Sequence, residues 1–199
     1  MQRMSVEQLL SEYANGRRDF RGVDLSQANL FECNLQEIDL QGSNLNGAYL
    51  PYANLGRANL KDAQLQGAEL GNARLQMANL TSANLQQANL VRADLWYCQL
   101  EGANLTKATV QSADLRHANL THANLTEADF SDANLEQAQM AGATLHRCNL
   151  FRAIAANLKA AICDDTTIFP DGHRGDEQKN KQEKDEQQRN EQQRNEQEK

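Results

Sequence analysis

From Phe20 to Leu150 a large apolar residue falls on every fifth position without one insertion. Of these 27 centres 23 are Leu, and Phe20, Val110, Phe130 and Met140 complete the set, so the period itself must be explained. Two residues before each centre sits a small residue, Ala in 20 of the 27 cases; the exceptions are Arg18, Val23, Cys33, Ile38, Ser43, Cys98 and Cys148. Between the two lies Asn or Asp in 19 cases, which makes the unit Ala-Asn/Asp-Leu-x-x. An α-helix turns ~100° per residue, so steps of five scatter the leucines around the axis and form no apolar stripe. A straight strand has a period of two, and an odd step sends successive leucines to opposite faces. A chain that bends after every unit avoids both failures. Three extended residues place the small residue and the Leu on one side, and the next two turn the corner. Four units then close a square coil, and stacked coils bury a continuous core that no single unit can bury alone.

These residues resemble the pentapeptide-repeat family, with its A(D/N)Lxx consensus. The resemblance spans about residues 17 to 150 and implies an all-β solenoid, the right-handed quadrilateral β-helix, here of about seven coils. At ~4.8 Å per coil the stack would stand about 30 Å tall. A solenoid is a scaffold for many jobs, so the fold alone names no activity.

The ends need separate treatment, because an open coil exposes Leu and backbone groups. Residues 1–16 read as an N-terminal helical cap. Ser5 and Gln8 fit a capping box, Val6, Leu9, Leu10 and Tyr13 form one apolar face, and Asn15-Gly16 is the stop. Residues 17–150 are the repeat region, entered through Arg17-Arg18-Asp19-Phe20, which looks like the family's usual start. Val23, Cys33, Ile38 and Ser43 replace Ala in the first coils, as packing against a cap would require. Residues 151–175 read as a degenerate last coil and C-terminal cap. There Ala156-Asn157-Leu158, Ala161-Ile162-Cys163 and Thr166-Thr167-Ile168 keep the pattern shifted by three, which suggests an insertion at 151–155. A short helix over 152–162 is the rival reading. Phe169-Pro170-Asp171-Gly172 reads as a closing turn. Residues 176–199 contain no apolar residue and are expected to be a charged, Gln-rich disordered tail.

Composition narrows the function classes. A net charge of −7 argues against direct nucleic-acid binding, which needs clustered Lys and Arg. No apolar run is long enough for a membrane span, and the N-terminus has no secretion signal, so a cytoplasmic location is expected. Cys33, Cys98 and Cys148 occupy small inward positions on three faces, far apart along the stack. Neither a disulfide nor a metal site is expected from them, and buried thiols suit a reducing compartment. His117 and His122 lie on adjacent faces and point outward, and His146 is on another coil. No phosphate loop, nucleophile–base pair or interior pocket can be assembled. No enzyme, cofactor or metal is expected.

Two outward features remain. Phe31, Pro51 and Val91 fall in one column with Tyr52 beside it, and Met77 and Tyr97 share the next column beside Trp96. Aromatic residues clustered on an Asn/Gln/Thr surface are those that anchor interfaces, so these seven form a candidate protein-binding patch. Glu127, Asp129, Asp132 and Glu136 form a candidate acidic patch near the C-terminal end. The family resemblance implies a second reading for it, a DNA mimic that binds and modulates DNA gyrase or another topoisomerase. Against that, residues 16–150 carry 14 acidic and 10 basic residues, too small a difference to imitate a duplex, and no long loop leaves the coil. The leading expectation is a non-enzymatic scaffold for an unknown protein partner. A self-associating structural rod, a homodimer through the C-terminal end, is a further alternative.

Overall fold

The computed structural model describes residues 1–175, so the expected tail at 176–199 lies outside the described residues. The chain opens with a short strand, β1 (Gln2–Arg3), then helix α1 (Val6–Ala14), then strand β2 (Val23–Asp24). From there it winds in a square coil. Isolated parallel bridges join residues four repeats apart, from Asp19↔Asp39 to Asn134↔Ile154, so each face stacks directly on the same face of the next coil. The Leu centres point into the bore. None from Phe20 to Leu150 is more than 3% exposed, and burial of this kind contributes about 1.5–3 kcal/mol per large side chain.

Following the backbone N–H groups explains the consensus. The centre donates up the stack (Leu60 N to Asn79 O, 2.7 Å), as does the second corner residue (Asp62 N to Thr81 O, 3.0 Å). The small residue closes the corner by donating to the preceding centre (Ala63 N to Leu60 O, 3.1 Å). The residue before the centre donates down the stack (Asn59 N to Ile38 O, 2.9 Å). That leaves the N–H of the first corner residue. The Asn or Asp side chain two residues earlier accepts it, as Asn79 Oδ1 does from Thr81 (3.1 Å) and Asn104 Oδ1 from Thr106 (3.1 Å). The same amides also bond along the axis, Asn59 Nδ2 donating to Asp39 Oδ1 at 2.9 Å and Asn104 Nδ2 to Asn84 Oδ1 at 3.3 Å. The Asn/Asp columns are thus structural on both counts.

The second corner residue has positive φ in every repeat, the geometry of a type II turn. Outside the glycines, the residues that take positive φ include Tyr52, Met77, Gln87, Tyr97 and His117, and none is Val, Ile or Thr. Those β-branched residues occur one position earlier, as Thr81, Val91, Thr106, Thr121 and Thr126. The left-handed conformation is a true outlier for a β-branched side chain, so sterics divides the two corner positions.

The N-terminal end is closed by α1 and β1. Ser5 Oγ accepts the Gln8 N–H at 3.1 Å, but the Gln8 side chain reaches forward to Glu12 (2.8 Å), so only half of the expected capping box forms. Leu9 is fully buried on the first coil, and the Tyr13 hydroxyl donates to the Gln36 carbonyl at 2.8 Å. The Arg18 guanidinium lies 3.9 Å from the Tyr13 ring centroid. Strand β1 pairs in parallel with β2 and so supplies a partial rung below the first coil. Ser43 fills space and also bonds: its buried hydroxyl donates to Phe20 O (3.0 Å) and accepts the Val23 N–H (3.2 Å), bridging the first corner.

At the other end the insertion expected at 151–155 is absent. Ile154 bridges Asn134 in normal register. The chain is instead short: Ile162 pairs with Thr144, and Ile168 with Asn149, intervals that fall two and one short of the regular step. A gain of three and a loss of two are the same shift in a pattern of period five, so at Ile162 only the ladder separates them. At Ile168 the register moves by one more residue, which puts Thr167 in the small buried slot and Ile168 before the centre, where the expected triplet had Ile168 as the centre. No helix forms over 152–162. Thr167, fully buried, donates its hydroxyl to Leu145 O at 2.8 Å. Phe169–Gly172 turns the chain into a short antiparallel pairing of Ile168 with Arg174, with Gly172 at φ +86.

Candidate interaction surface

The seven residues of the candidate patch separate into two clusters on neighbouring corners. In the first, Phe31 stacks on Tyr49 (centroids 6.1 Å apart, planes at 18°) and meets Tyr52 edge-on (6.0 Å, 80°). Tyr49, which the periodic reading passed over, is half-exposed and belongs here. It stands in the slot usually held by Asn. Pro51, two residues on, has no N–H for that Asn to accept, so the slot is free for a ring. The sequence Tyr-Leu-Pro was the available signal. Pro51 itself is half-buried, and so is Val91, two coils further in the same column.

In the second cluster Trp96 meets Tyr97 edge-on (4.5 Å, 89°), and Tyr97 stacks on His117 one coil later (4.4 Å, 8°). Met77 stands one coil earlier in that column and is 43% exposed. His117 is therefore part of an aromatic column, a role that reading it only as a metal-ligand candidate missed. The Trp96 N–H is accepted by Asp94 Oδ1 at 3.2 Å, which pins the corner beneath the ring. No ring contact joins the two clusters among the described residues.

Three of the four carboxylates of the acidic patch are engaged by neighbours. Glu127 lies between Lys107 (3.6 Å) and Arg147 (3.5 Å) in one corner column, and Asp132 pairs with Arg152 at 3.1 Å. Asp129 accepts from Ser131 N, Asn149 Nδ2 and Gln111 Nε2. Glu136 has no side-chain ion pair or hydrogen bond among the described residues, since the Arg116 guanidinium is held by Asp114 at 2.6 Å. The stack sets opposite charges one coil apart at Glu127 and Asp132, which leaves Asp129 and Glu136 as the carboxylates of the patch without a cation partner among the described residues.

Among the described residues reactive chemistry does not gather elsewhere. The four cysteines are free, and burial pushes the Cys98 and Cys148 thiols well above their usual range, which keeps them protonated and inert. Among the described residues no three His, Cys, Asp or Glu side chains are grouped to hold a metal ion. A cavity of about 630 Å³ lies where the last coil runs short, beside Met140, Asn157 and Lys159; its lining includes no acid and no thiol. No helix among the described residues is long and apolar enough to cross a membrane.

Between residues 18 and 154 the sequence matches the family model for pentapeptide repeats, in eight copies. The chain belongs to the pentapeptide-repeat family. This pentapeptide-repeat protein shares its fold with a trypsin-treated variant of QnrB1, a plasmid-mediated fluoroquinolone resistance protein. The two are 17% identical over 72% of this chain and 78% of that one, with a TM-score of 0.60. It is also similar to HetL, a pentapeptide repeat protein involved in heterocyst differentiation regulation in Nostoc sp. strain PCC 7120. There the identity is 25% over 86% of this chain and 99% of that one, with a TM-score of 0.28. A pentapeptide repeat protein from the Arabidopsis thaliana thylakoid lumen is 26% identical over 60% and 73% of the two chains, with a TM-score of 0.41. No curated protein matches the chain. Pentapeptide-repeat proteins are in general structural or interaction proteins.

Proposed function

We propose that this pentapeptide-repeat protein is a non-enzymatic scaffold: a right-handed rod of about seven coils that binds a protein partner through its exposed rings. The observation that carries this reading is the pair of aromatic clusters, Phe31/Tyr49/Tyr52 and Trp96/Tyr97/His117, held outward on stiff corners. Rigid aromatic side chains give contact area at little entropic cost, as interface anchors do. The bore beneath is filled by Leu and leaves no room for a substrate. Four free thiols suit the reducing cytosol. The test is a pull-down with wild type, a Phe31→Ser/Tyr52→Ser/Trp96→Ser variant, and a chain ending at Gly175. A partner kept by the shortened chain and lost by the ring variant supports the reading. A partner indifferent to the rings overturns it.

The DNA-mimic alternative draws little support from carboxylates already paired with Lys107, Arg147 and Arg152. Inhibition or protection of a topoisomerase in a supercoiling assay would restore it. Self-association has an observation of its own. Phe151, Ile154 and Ile162 are 45%, 56% and 50% exposed at the C-terminal end, two of them in slots that elsewhere hold Asn or Asp. Light scattering that gives only monomer would remove that reading.

A further inference from the structure

Two arginines beside the second ring cluster have no side-chain partner among the described residues. Arg17, Arg21, Arg57, Arg116, Arg147 and Arg152 each sit in an ion pair, and Arg18 lies on a Tyr ring. The side chains of Arg74 and Arg92 have no ion pair, hydrogen bond or ring contact among those residues. Asp94 is Arg74's neighbour in the same column, one coil on, but its two oxygens accept from Gln76 Nε2 at 2.5 Å and from the backbone N–H of Trp96 at 3.2 Å, and it forms no ion pair with Arg74. Arg92 stands between Asn72 and Ser112 in its corner column, and neither can supply a charge.

The two cations border a single strip. The face running from Val91 and Arg92 to Trp96 and Tyr97 is one extended segment, about 10 Å across. Arg92 stands on one corner, Met77, Trp96 and Tyr97 on the other, and Arg74 on the face between them, one coil earlier. We infer that this strip takes an extended acidic segment of a partner protein, with a carboxylate at Arg74 and Arg92 and an apolar side chain against Trp96 and Met77. The inference rests on the scaffold reading and narrows it to one cluster and one partner chemistry. A nucleic-acid strand offers the same combination of negative charge and stacking. It fits less well, because Asp94 and Asp114 line the same face and the chain as a whole carries a net charge of −7. A short peptide can place one or two carboxylates on the two arginines and avoid those acids.

Trp96 is the sole tryptophan, so its emission reports on this strip directly. The probes are a fluorescein-labelled peptide of alternating Glu and Phe, its Gln/Phe and Lys/Phe counterparts, and a single-stranded oligonucleotide. The full chain is titrated with each. The Glu/Phe peptide should shift Trp96 emission to the blue and bind about tenfold more tightly than the Gln/Phe peptide, with affinity falling as salt rises. Arg74→Glu with Arg92→Glu should remove that preference. Trp96→Ser, followed by anisotropy of the label, should weaken the binding of both the Glu/Phe and the Gln/Phe peptides. Equal binding of all three peptides, no binding of the Glu/Phe peptide, or tighter binding of the oligonucleotide would each overturn the inference. A pull-down partner that needs the rings but ignores the Arg74→Glu/Arg92→Glu variant would leave the scaffold standing and sink the acidic segment alone.

Discussion

Asn104→Ala tests the backbone accounting at one atom. Asn104 Oδ1 accepts the Thr106 N–H at 3.1 Å and the Thr106 hydroxyl at 2.6 Å, and its Nδ2 reaches Asn84 Oδ1 at 3.3 Å. The hydroxyl can turn to water and the axial bond is long, so the N–H carries most of the cost. That N–H sits at a half-buried corner where water can partly replace the lost acceptor. The cost should therefore lie near the net value of a hydrogen bond, about 1 kcal/mol, and below the full penalty for a buried orphan donor. Thr109 occupies the same slot one unit later and caps nothing, since its side chain has no hydrogen bond among the described residues. Thr109→Ala should cost less than about 0.5 kcal/mol, and Thr109→Asn should gain about 0.5–1 kcal/mol by capping Gln111 N–H. Urea unfolding is the assay. With a slope of about 1–3 kcal/mol per molar, a loss of about 1 kcal/mol moves the midpoint by roughly 0.3–1 M at constant slope. Equal costs for Asn104→Ala and Thr109→Ala would refute the claim that the fifth N–H explains the Asn/Asp of the consensus.

Three further perturbations probe other parts of the rod. Leu80 is fully buried in mid-stack, so Leu80→Asp should place an unpaired charge in the bore and abolish cooperative folding; a protease-resistant variant would refute the register. Gln87 has φ +58, so Gln87→Val should cost about 1–2 kcal/mol while Gln87→Gly changes little; calorimetry that ranks Gly below Val would contradict the corner argument. Burial raises the pKa of Asp164, but hydrogen bonds from Thr166 and Thr167 outweigh it and hold the group at about 2, against an ordinary 3.8. Because the folded value is the lower one, this stabilisation is complete above about pH 4 and is lost as pH falls toward 2. Amide exchange should then open Leu145 and Leu150 before Leu60 on acidification. Asp164→Asn should flatten that dependence, and mid-rod amides opening first would count against it.

The bore was legible because one spacing determines it. Once Leu recurs every fifth residue, no helix or strand can bury it, and the centres from Phe20 to Leu150 are buried as that argument requires. The corners were less legible. Side-chain composition marks a turn, but φ at Met77 or Gln87 is set by closing the Leu-to-Ala bond, which no single residue announces. The sense of the shift at Ile162 was hidden by arithmetic, because a pattern with period five records a displacement only modulo five. Tyr49 was missed because it stands in a polar slot, and His117 because its partner is a ring one coil away. The acidic patch looked exposed in sequence because Lys107 and Arg147 each stand a full coil from Glu127, on either side, and become its neighbours only once the coil has closed.

The four-repeat interval between bridged residues, kept from Asp19 to Ile154, also gives the rod a phase. Loss of a whole coil would shorten it and leave every face pointing as before. Loss of one repeat would rotate everything beyond the cut by a quarter turn relative to α1. A cut of that size between Tyr52 and Trp96 would carry Trp96, Tyr97 and His117 onto the corner of Phe31 and Tyr52, and two separate clusters would become one line. Surfaces on such a chain can be brought into alignment or out of it by the length of the sequence between them, with no surface residue changed.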